Sequence, residues 1–240
     1  MTAFGSERTL VATACRVLAA RGLADGFLGH ISLRVDADRL LIRCRGQQEH
    51  GLAWTTSEDI RLVDLDGAAG APGELEGWSV PNELPLHTEV LRTHPDTTAV
   101  VHAHPPAVVA IDLAGARLRP IVGAYDIPGA RLTAGGVPVY ERGVLIRSRQ
   151  LAAEMVAAMG DRPVVVLRGH GLASAASSIQ EAVLQAISVD TIARISLTVL
   201  SAGGTLADLP DADLAELPDL GPAFNKGVAW QHEIARLDTG

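Results

Sequence analysis

Cysteine, aromatic residues and long apolar runs are scarce in this 240-residue sequence. Two cysteines, Cys15 and Cys44, are too few for a disulfide framework or a cysteine-rich zinc motif, and both are expected in the core of a protein from a reducing compartment. No apolar segment approaches the roughly 18 residues that span a bilayer. Residues 1–10 lack the basic and apolar regions of a signal peptide. These absences predict a cytoplasmic protein without a membrane segment.

Basic residues are also few relative to acidic ones. The chain has 20 Lys and Arg against 28 Asp and Glu, so its formal net charge is −8. Because no basic stripe is available to neutralise phosphates, the sequence argues against a nucleic-acid surface. Apolar residues make up 48% of the chain, enough for a sizeable core. With no internal repeat and no credible linker, residues 1–240 are expected to form a single domain.

Hydrophobic periodicity and turn signals predict helices and strands mixed along the chain. Helices are predicted over 6–21, from an N-cap at Asn82 to about 93, from 106 onwards, from a cap at Ser148 to 159, from a capping box at Ser178 to about 201, and over 228–236. Strands are predicted over 29–35, 39–45, 60–64, 99–104 and 163–167. This order is typical of a single α/β domain.

His102 and His104 follow the apolar run 99–101 directly. Side chains alternate between the faces of a strand, so these two imidazoles point the same way. Two imidazoles at a strand end make half of a first-row metal site. Two unrelated surface or core histidines are the alternative interpretation.

Two further residues favour the metal site. His170 lies between two glycines just after the strand 163–167, where it can reach into a cleft, and a third histidine completes the ligand set of a catalytic zinc. Glu83 follows Asn82 at a helix N-terminus, where the helix dipole favours a carboxylate. Taken alone, each has an ordinary explanation, as a turn histidine or a helix-end carboxylate. His30 is a fourth candidate. The remaining histidines are assigned to structure or solvent, although His87, one helical turn from Glu83, can support the site.

Taken in order, these segments resemble the class II aldolase and adducin family. The resemblance rests on 81–87, 92–96, 99–104 and 168–172, together with the early Gly29-His30-Ile31-Ser32-Leu33-Arg34. It covers about residues 8–204 and leaves 205–240 as a C-terminal extension. It implies a three-layer α/β/α domain with a central, largely antiparallel sheet. Proteins of this kind are commonly homotetramers with active sites between subunits.

The resemblance also implies roles for the site residues. His102, His104 and His170 match the metal-binding histidines, and Glu83 matches the carboxylate that acts as general acid and base. One divalent ion per subunit is expected, Zn²⁺ first, with Mn²⁺, Co²⁺ and Fe²⁺ as alternatives. The adducin branch lacks these histidines, so their presence here favours an enzyme.

The segments that hold phosphate in the sugar-phosphate aldolases differ in this chain. His30 stands where those enzymes have Asn, Ser32 is kept, and 80–82 replaces a serine pair. Alternation along 41–45 places Arg43 and Arg45 on one face, where a guanidinium can bind a carboxylate through two hydrogen bonds. A solvated strand face is the alternative. His30, Ser32, Arg43 and Arg45 are therefore the candidate residues for binding a small carboxylated substrate.

These departures resemble the decarboxylase-type members of the superfamily, some of which act on hydroxylated aromatic acids such as 3,4-dihydroxyphthalate. The expected function is a metal-dependent carbon–carbon lyase in aromatic compound catabolism, which decarboxylates such an acid through a metal-stabilised oxyanion. Glu83 is expected to protonate the ring carbon, with His30 or Tyr125 as helpers. Two alternatives stay open: an aldolase for a sugar phosphate or short hydroxy-aldehyde adduct, and a non-catalytic adducin-like module.

Overall fold

A seven-stranded mixed sheet forms the centre of the fold. A computed structural model describes residues 3–24, 27–221 and 224–237 of the chain. The strands are β1 (His30–Arg34), β2 (Arg39–Arg43), β3 (Ile60–Asp64), β4 (Ala99–Ala103), β5 (Val139–Tyr140), β6 (Val164–Leu167) and β7 (Gly171–Ala176). Their order is β3-β2-β1-β4-β7-β6-β5. Neighbours pair antiparallel except β5 and β6, which are parallel. The expected largely antiparallel sheet is confirmed.

Helices cover both faces of this sheet. They are α1 (Gly5–Ala20), α2 (Leu84–Thr93), α3 (Pro106–Leu113), α4 (Ile127–Thr133), α5 (Arg149–Met159), α6 (Ile179–Ser201), α7 (Asp211–Glu216) and α8 (Trp230–Leu237). One hydrophobic cluster includes residues of α1, α3 and α6, and a second includes residues of α2 and α5. The adjacent β4 residues Val101 and Val100 belong to the first and the second cluster respectively, because strand side chains alternate. The three-layer α/β/α arrangement follows.

Local capping explains several helix starts and corrects one prediction. The hydroxyls of Ser148 and Ser178 accept the backbone N–H groups of Leu151 and Glu181, as expected for N-caps. The predicted cap at Asn82 is wrong. Helix α2 begins at Leu84, and its N-cap residue is Glu83, whose side chain makes no capping bond. The Glu83 carboxylate is directed instead toward the histidines described below.

Helix α6 corrects the expectation that no segment is long and apolar enough to cross a bilayer. Its 23 residues meet that criterion by length and composition. Half of its most apolar window is buried inside the protein, however, and residues such as Val189 and Ile192 belong to the core cluster shared with the strands. A helix packed between a sheet and other helices is apolar around much of its circumference, so α6 is a core helix.

Both cysteines are core residues, as expected. Cys15 and Cys44 are free thiols with almost no exposed surface. Burial disfavours the thiolate and raises the pKa of each to about 12. Neither thiol is therefore a reactive nucleophile at neutral pH.

The register at the middle of the sheet places the chemically important side chains together. Strand β4 lies between β1 and β7, and His102 stands directly opposite His30 on β1. The turn between β6 and β7 carries His170, and β7 starts at Gly171. A Cβ at Gly171 would collide with the Ala103 carbonyl oxygen, so glycine is required for this close approach. The close approach holds His170 beside the end of β4.

Candidate active site

Three imidazoles converge at the end of β4. His102 lies in the strand, His104 follows it, and His170 comes from the turn between β6 and β7. The ring centroids are 4.6 Å apart for His102 and His104, 4.9 Å for His102 and His170, and 4.8 Å for His104 and His170. The ligand atoms of these residues and of Glu83 all lie within 4.8 Å of one another. The structure thus brings together the four residues predicted to form the metal site and its acid–base group.

Hydrogen positions inferred from this geometry fit a metal cation. His102 Nδ1 lies 2.9 Å from the Leu172 carbonyl oxygen, which can only accept, so Nδ1 carries a hydrogen. In neutral His102 the Nε2 atom then has only a lone pair, and it faces His104 Nε2 at 2.8 Å and Glu83 Oε2 at 3.2 Å. A cation between these atoms satisfies the converging lone pairs. Three imidazoles and a carboxylate are a donor set that Zn²⁺ and similar ions accept.

The protonation states at this site also favour ligation. Burial is the main cause that lowers the pKa of His104 to about 3, and a proton on His104 would also be repelled by a proton on His102 or His170. Burial, and the repulsion that a protonated His102 would exert, lower the pKa of His170 below its usual range. Both imidazoles are therefore neutral at pH 7, which is the form that binds a metal.

Glu83 is held by one oxygen and faces the histidines with the other. Its Oε1 atom accepts the Ile146 backbone N–H at 2.8 Å, and Oε2 lies 3.6 Å from His170 Nε2. Burial opposes ionisation, but the contacts with His102, Ile146 and His170 outweigh it and lower the pKa of Glu83 to about 2. Glu83 is a carboxylate at neutral pH. Sequence reasoning missed Ile146 because a backbone donor carries no signature in the residue type.

His30 and Ser32 are joined by His87, a residue assigned above mainly to structure. His30 Nδ1 lies 2.7 Å from His87 Nε2, and His87 Nδ1 lies 2.7 Å from Ser32 Oγ. Burial, with the neighbouring charges, lowers the pKa of His87 to about 3 and that of His30 well below its usual range. Ser32 has no exposed surface and its hydroxyl faces His87, so within this chain it does not line the cavity.

The two candidate arginines have different surroundings. Arg43 is buried, donates to Thr55 Oγ1 at 3.0 Å, and forms an ion pair with Glu49. Arg45 lies over the Phe27 ring, 5.3 Å from its centroid. Among the described residues it forms no direct ion pair, although its charge helps to lower the pKa of Glu49. Strand β2 ends at Arg43, and the backbone of Arg45 pairs with Ser79. Ile42 and Cys44 belong to one hydrophobic cluster, as the predicted alternation along 41–45 requires.

A cavity gives access to the site. Its lining residues are Leu28, Gly29, His30, Arg45, Pro81, Asn82, Glu83, His104 and Leu145. The Arg45 guanidinium and the His30 imidazole thus lie in the same cavity lining as Glu83, the predicted acid–base residue. Arg43 and Ser32 are absent from this lining. Tyr125 is 77% exposed and lines a different cavity with residues of α4 and α6, so within this chain it does not join the site.

Comparison with known proteins identifies relatives of this chain. The model of the Class II Aldolase and Adducin N-terminal domain matches residues 9–197. Three relatives named 3,4-dihydroxyphthalate decarboxylase are 63–71% identical over 231 to 234 residues. The one from Terrabacter sp. (strain DBF63) is 71% identical, and the match covers 98% of each chain.

More distant comparisons agree on the fold. An L-fuculose phosphate aldolase of Escherichia coli O6:H1 is 26% identical over 204 residues, which cover 84% of this chain and 87% of that protein. The crystal structure of an aldolase II superfamily protein from Pseudomonas syringae superimposes with a TM-score of 0.81 at 22% identity. That superposition covers 100% of this chain and 95% of the other. The three-layer fold inferred above is thus shared with this solved structure.

Proposed function

The chain belongs to the class II aldolase and adducin family, and we propose that it is a divalent-metal-dependent decarboxylase of 3,4-dihydroxyphthalate. The observation that carries the proposal is a cavity in which Arg45, without a direct ion pair among the described residues, adjoins the cluster of three histidines and Glu83. A guanidinium with no direct ion pair is suited to an acid substrate. The predicted likeness to the decarboxylase-type branch is confirmed by relatives of that name at 63–71% identity.

We assign the metal to His102, His104 and His170, with Zn²⁺ as the proposed ion. A divalent cation bound there supplies Lewis-acid polarisation of adjacent substrate oxygens. The protein fixes the orientation of the ligands, since the Leu172 carbonyl holds the His102 ring through Nδ1. Mn²⁺, Co²⁺ and Fe²⁺ suit the same donor set.

Glu83 is the proposed proton carrier. Because it is ionised, Oε2 accepts the proton of a phenolic hydroxyl while Oε1 stays bonded to Ile146. The bond between the ring carbon and one carboxylate then breaks, CO₂ leaves, and its electron pair stays with the ring. Glu83 returns the proton to that carbon, and Arg45 retains the second carboxylate. The phenolate then takes one proton from solvent, and the product is a dihydroxybenzoate.

The alternatives have less support at this site. A phosphate site of the aldolase type needs hydroxyl groups, whereas 80–82 contributes Val, Pro and Asn, and the Ser32 hydroxyl is buried. A non-catalytic module does not require four converging donor groups. We further propose a cytoplasmic homotetramer with active sites between subunits. Large exposed apolar side chains such as Trp54 and Leu113 support an interface.

The deciding experiment is a substrate comparison on zinc-loaded protein. We expect 3,4-dihydroxyphthalate to release one equivalent of CO₂ and yield a dihydroxybenzoate, measured by chromatography, with no cleavage of L-fuculose 1-phosphate. Glu83→Gln protein, purified in the same way, controls for a contaminating enzyme. Activity on the sugar phosphate alone would overturn the decarboxylase assignment. Light scattering after size-exclusion chromatography tests the tetramer.

A further inference from the structure

A continuous hydrogen-bonded chain leads from the protein interior to the cavity. It runs from Ser32 Oγ to His87 Nδ1 at 2.7 Å, and from His87 Nε2 to His30 Nδ1 at 2.7 Å. His30 and Ser32 share one face of β1 because they are two residues apart, and His87 meets them from α2. Ser32 and His87 are 0% exposed and His30 is 6% exposed. Water therefore cannot replace a partner within the chain.

The Ser32 hydroxyl determines the direction of these bonds. Among the described residues, Ser32 Oγ has no hydrogen-bond partner besides His87 Nδ1. If His87 donated to Oγ, the hydroxyl hydrogen would be buried without an acceptor, which is costly. Ser32 therefore donates to His87 Nδ1. His87 Nε2–H then donates to His30 Nδ1, and the hydrogen of neutral His30 is on Nε2.

The free nitrogen of His30 belongs to a residue that lines the cavity. Nδ1 is bonded to His87, which leaves Nε2 without a protein partner among the described residues. Arg45 lines the same cavity and forms no direct ion pair in the described part of the chain. Glu83, the cavity's carboxylate, is already engaged with Ile146, His102 and His170. An N–H group and a guanidinium at one cavity offer donors that a single carboxylate can accept.

We propose that Ser32 and His87 are positioning residues that hold His30 with its Nε2–H toward the cavity, where His30 and Arg45 together bind the substrate carboxylate that is retained. This inference rests on the proposed function only for the identity of the ligand. It gives the buried Ser32 a role that acts through two imidazoles. It also assigns His87 to substrate binding and not to the metal.

The first test reads the tautomer directly, without substrate. Protein labelled with ¹⁵N-histidine and loaded with zinc is examined by long-range ¹H–¹⁵N NMR, and the His30 signals are assigned from a His30→Gln variant. We expect the Nε2–H form of His30 in the wild type and a mixture of tautomers in Ser32→Ala. Ser174→Ala, which also removes a buried hydroxyl from the sheet, should leave His30 unchanged. An Nδ1–H form of His30 in the wild type would overturn the proposal, whatever the variants do.

The second test measures the carboxylate contact with two unreactive probes. Titration calorimetry compares 3,4-dihydroxybenzoate with catechol, which has the same two hydroxyls and lacks the carboxylate. We expect Ser32→Ala to weaken the affinity for dihydroxybenzoate about tenfold, as for one lost hydrogen bond to a charged group. The affinity for catechol should stay within about twofold of the wild-type value. Equal losses for both probes, or no binding of dihydroxybenzoate by the wild type, would overturn the contact. An inactive enzyme with the expected tautomer and probe affinities would contradict only the proposed function.

Discussion

Two groups of histidines lie side by side in this protein, and they differ in how their hydrogens are arranged. His102 and His104 have ring centroids 4.6 Å apart, and His30 and His87 have centroids 4.8 Å apart. His30 and His102 are direct neighbours across β1 and β4. In the first group, lone pairs converge with a carboxylate. In the second, we infer that Ser32 donates to His87 and His87 donates to His30, which leaves the His30 Nε2–H for the cavity.

This difference shows why proximity alone does not identify a metal site. Imidazoles at almost equal spacing form both groups, so ring distance and burial do not separate them. The backbone carbonyl of Leu172 accepts a hydrogen bond from the Nδ1–H of His102 and leaves the Nε2 lone pair for a cation. The hydroxyl of Ser32 supplies a hydrogen and makes a cation unnecessary for His87. The hydrogen-bond partner of Nδ1 in each ring therefore decides whether Nε2 offers a lone pair to a cation or a hydrogen to a neighbour.

Removing one histidine from each group should give the largest contrast. His104→Ala is expected to lose bound zinc and to lower kcat at least about a thousandfold, since the cation contributes several kcal/mol to the transition state. His87→Gln should retain one zinc per subunit. Metal content by plasma mass spectrometry, with CO₂ release, measures both effects. Full zinc binding by His104→Ala would remove this residue from the ligand set.

Glu83 separates the proton-transfer role from metal binding. Glu83→Gln keeps an oxygen for the Ile146 N–H but cannot carry a proton, so kcat should fall by about 10²- to 10⁴-fold. Zinc content should stay at the wild-type level because the three imidazoles are intact. Glu216→Gln, at an exposed position outside the site, is the matched control. Wild-type turnover in Glu83→Gln protein would exclude Glu83 as the proton carrier.

The two arginines should respond in opposite ways. Arg45→Met is expected to raise KM for 3,4-dihydroxyphthalate about 10- to 100-fold, as for a lost charged hydrogen bond, with Tm nearly unchanged. Arg43→Met removes the ion pair with Glu49 and should lower Tm instead. Steady-state kinetics and thermal unfolding on both variants give the comparison. A larger KM effect for Arg43→Met would return the substrate contact to Arg43.

Acid sensitivity should give the smallest effect. The pKa of His87 is lowered to about 3 in the folded protein. Between about pH 6.5 and 3 the unfolded chain therefore binds a proton at this residue that the folded protein does not. The free energy of unfolding falls as the pH falls through that range. Metal-free wild type should lose stability by about 1.4 kcal/mol per pH unit more than His87→Gln over that window. Urea unfolding at pH 7, 6 and 5 measures the difference. The exposed His232→Gln should keep the wild-type slope.

Much of the fold was predictable because the signals are local. The capped helices α5 and α6 and the strand β3 follow from side chains that bond or alternate within a few residues. Prediction failed where a distant partner intervened. Asn82 is not a cap because Glu83 takes the N-cap position, and the Glu83 carboxylate accepts the backbone N–H of the distant Ile146.

The sequence by itself determined the family, the α/β order and the four residues that meet at the candidate metal site. Their spacing around a strand end, a helix start and a glycine turn is a property of residue order. Only the tertiary structure decided which arginine lines the cavity and that Ser32 acts through His87. Hydrogen-bond direction and ion pairing depend on partners far apart in the chain, such as Ser32 with His87. Residue types alone do not specify such partners.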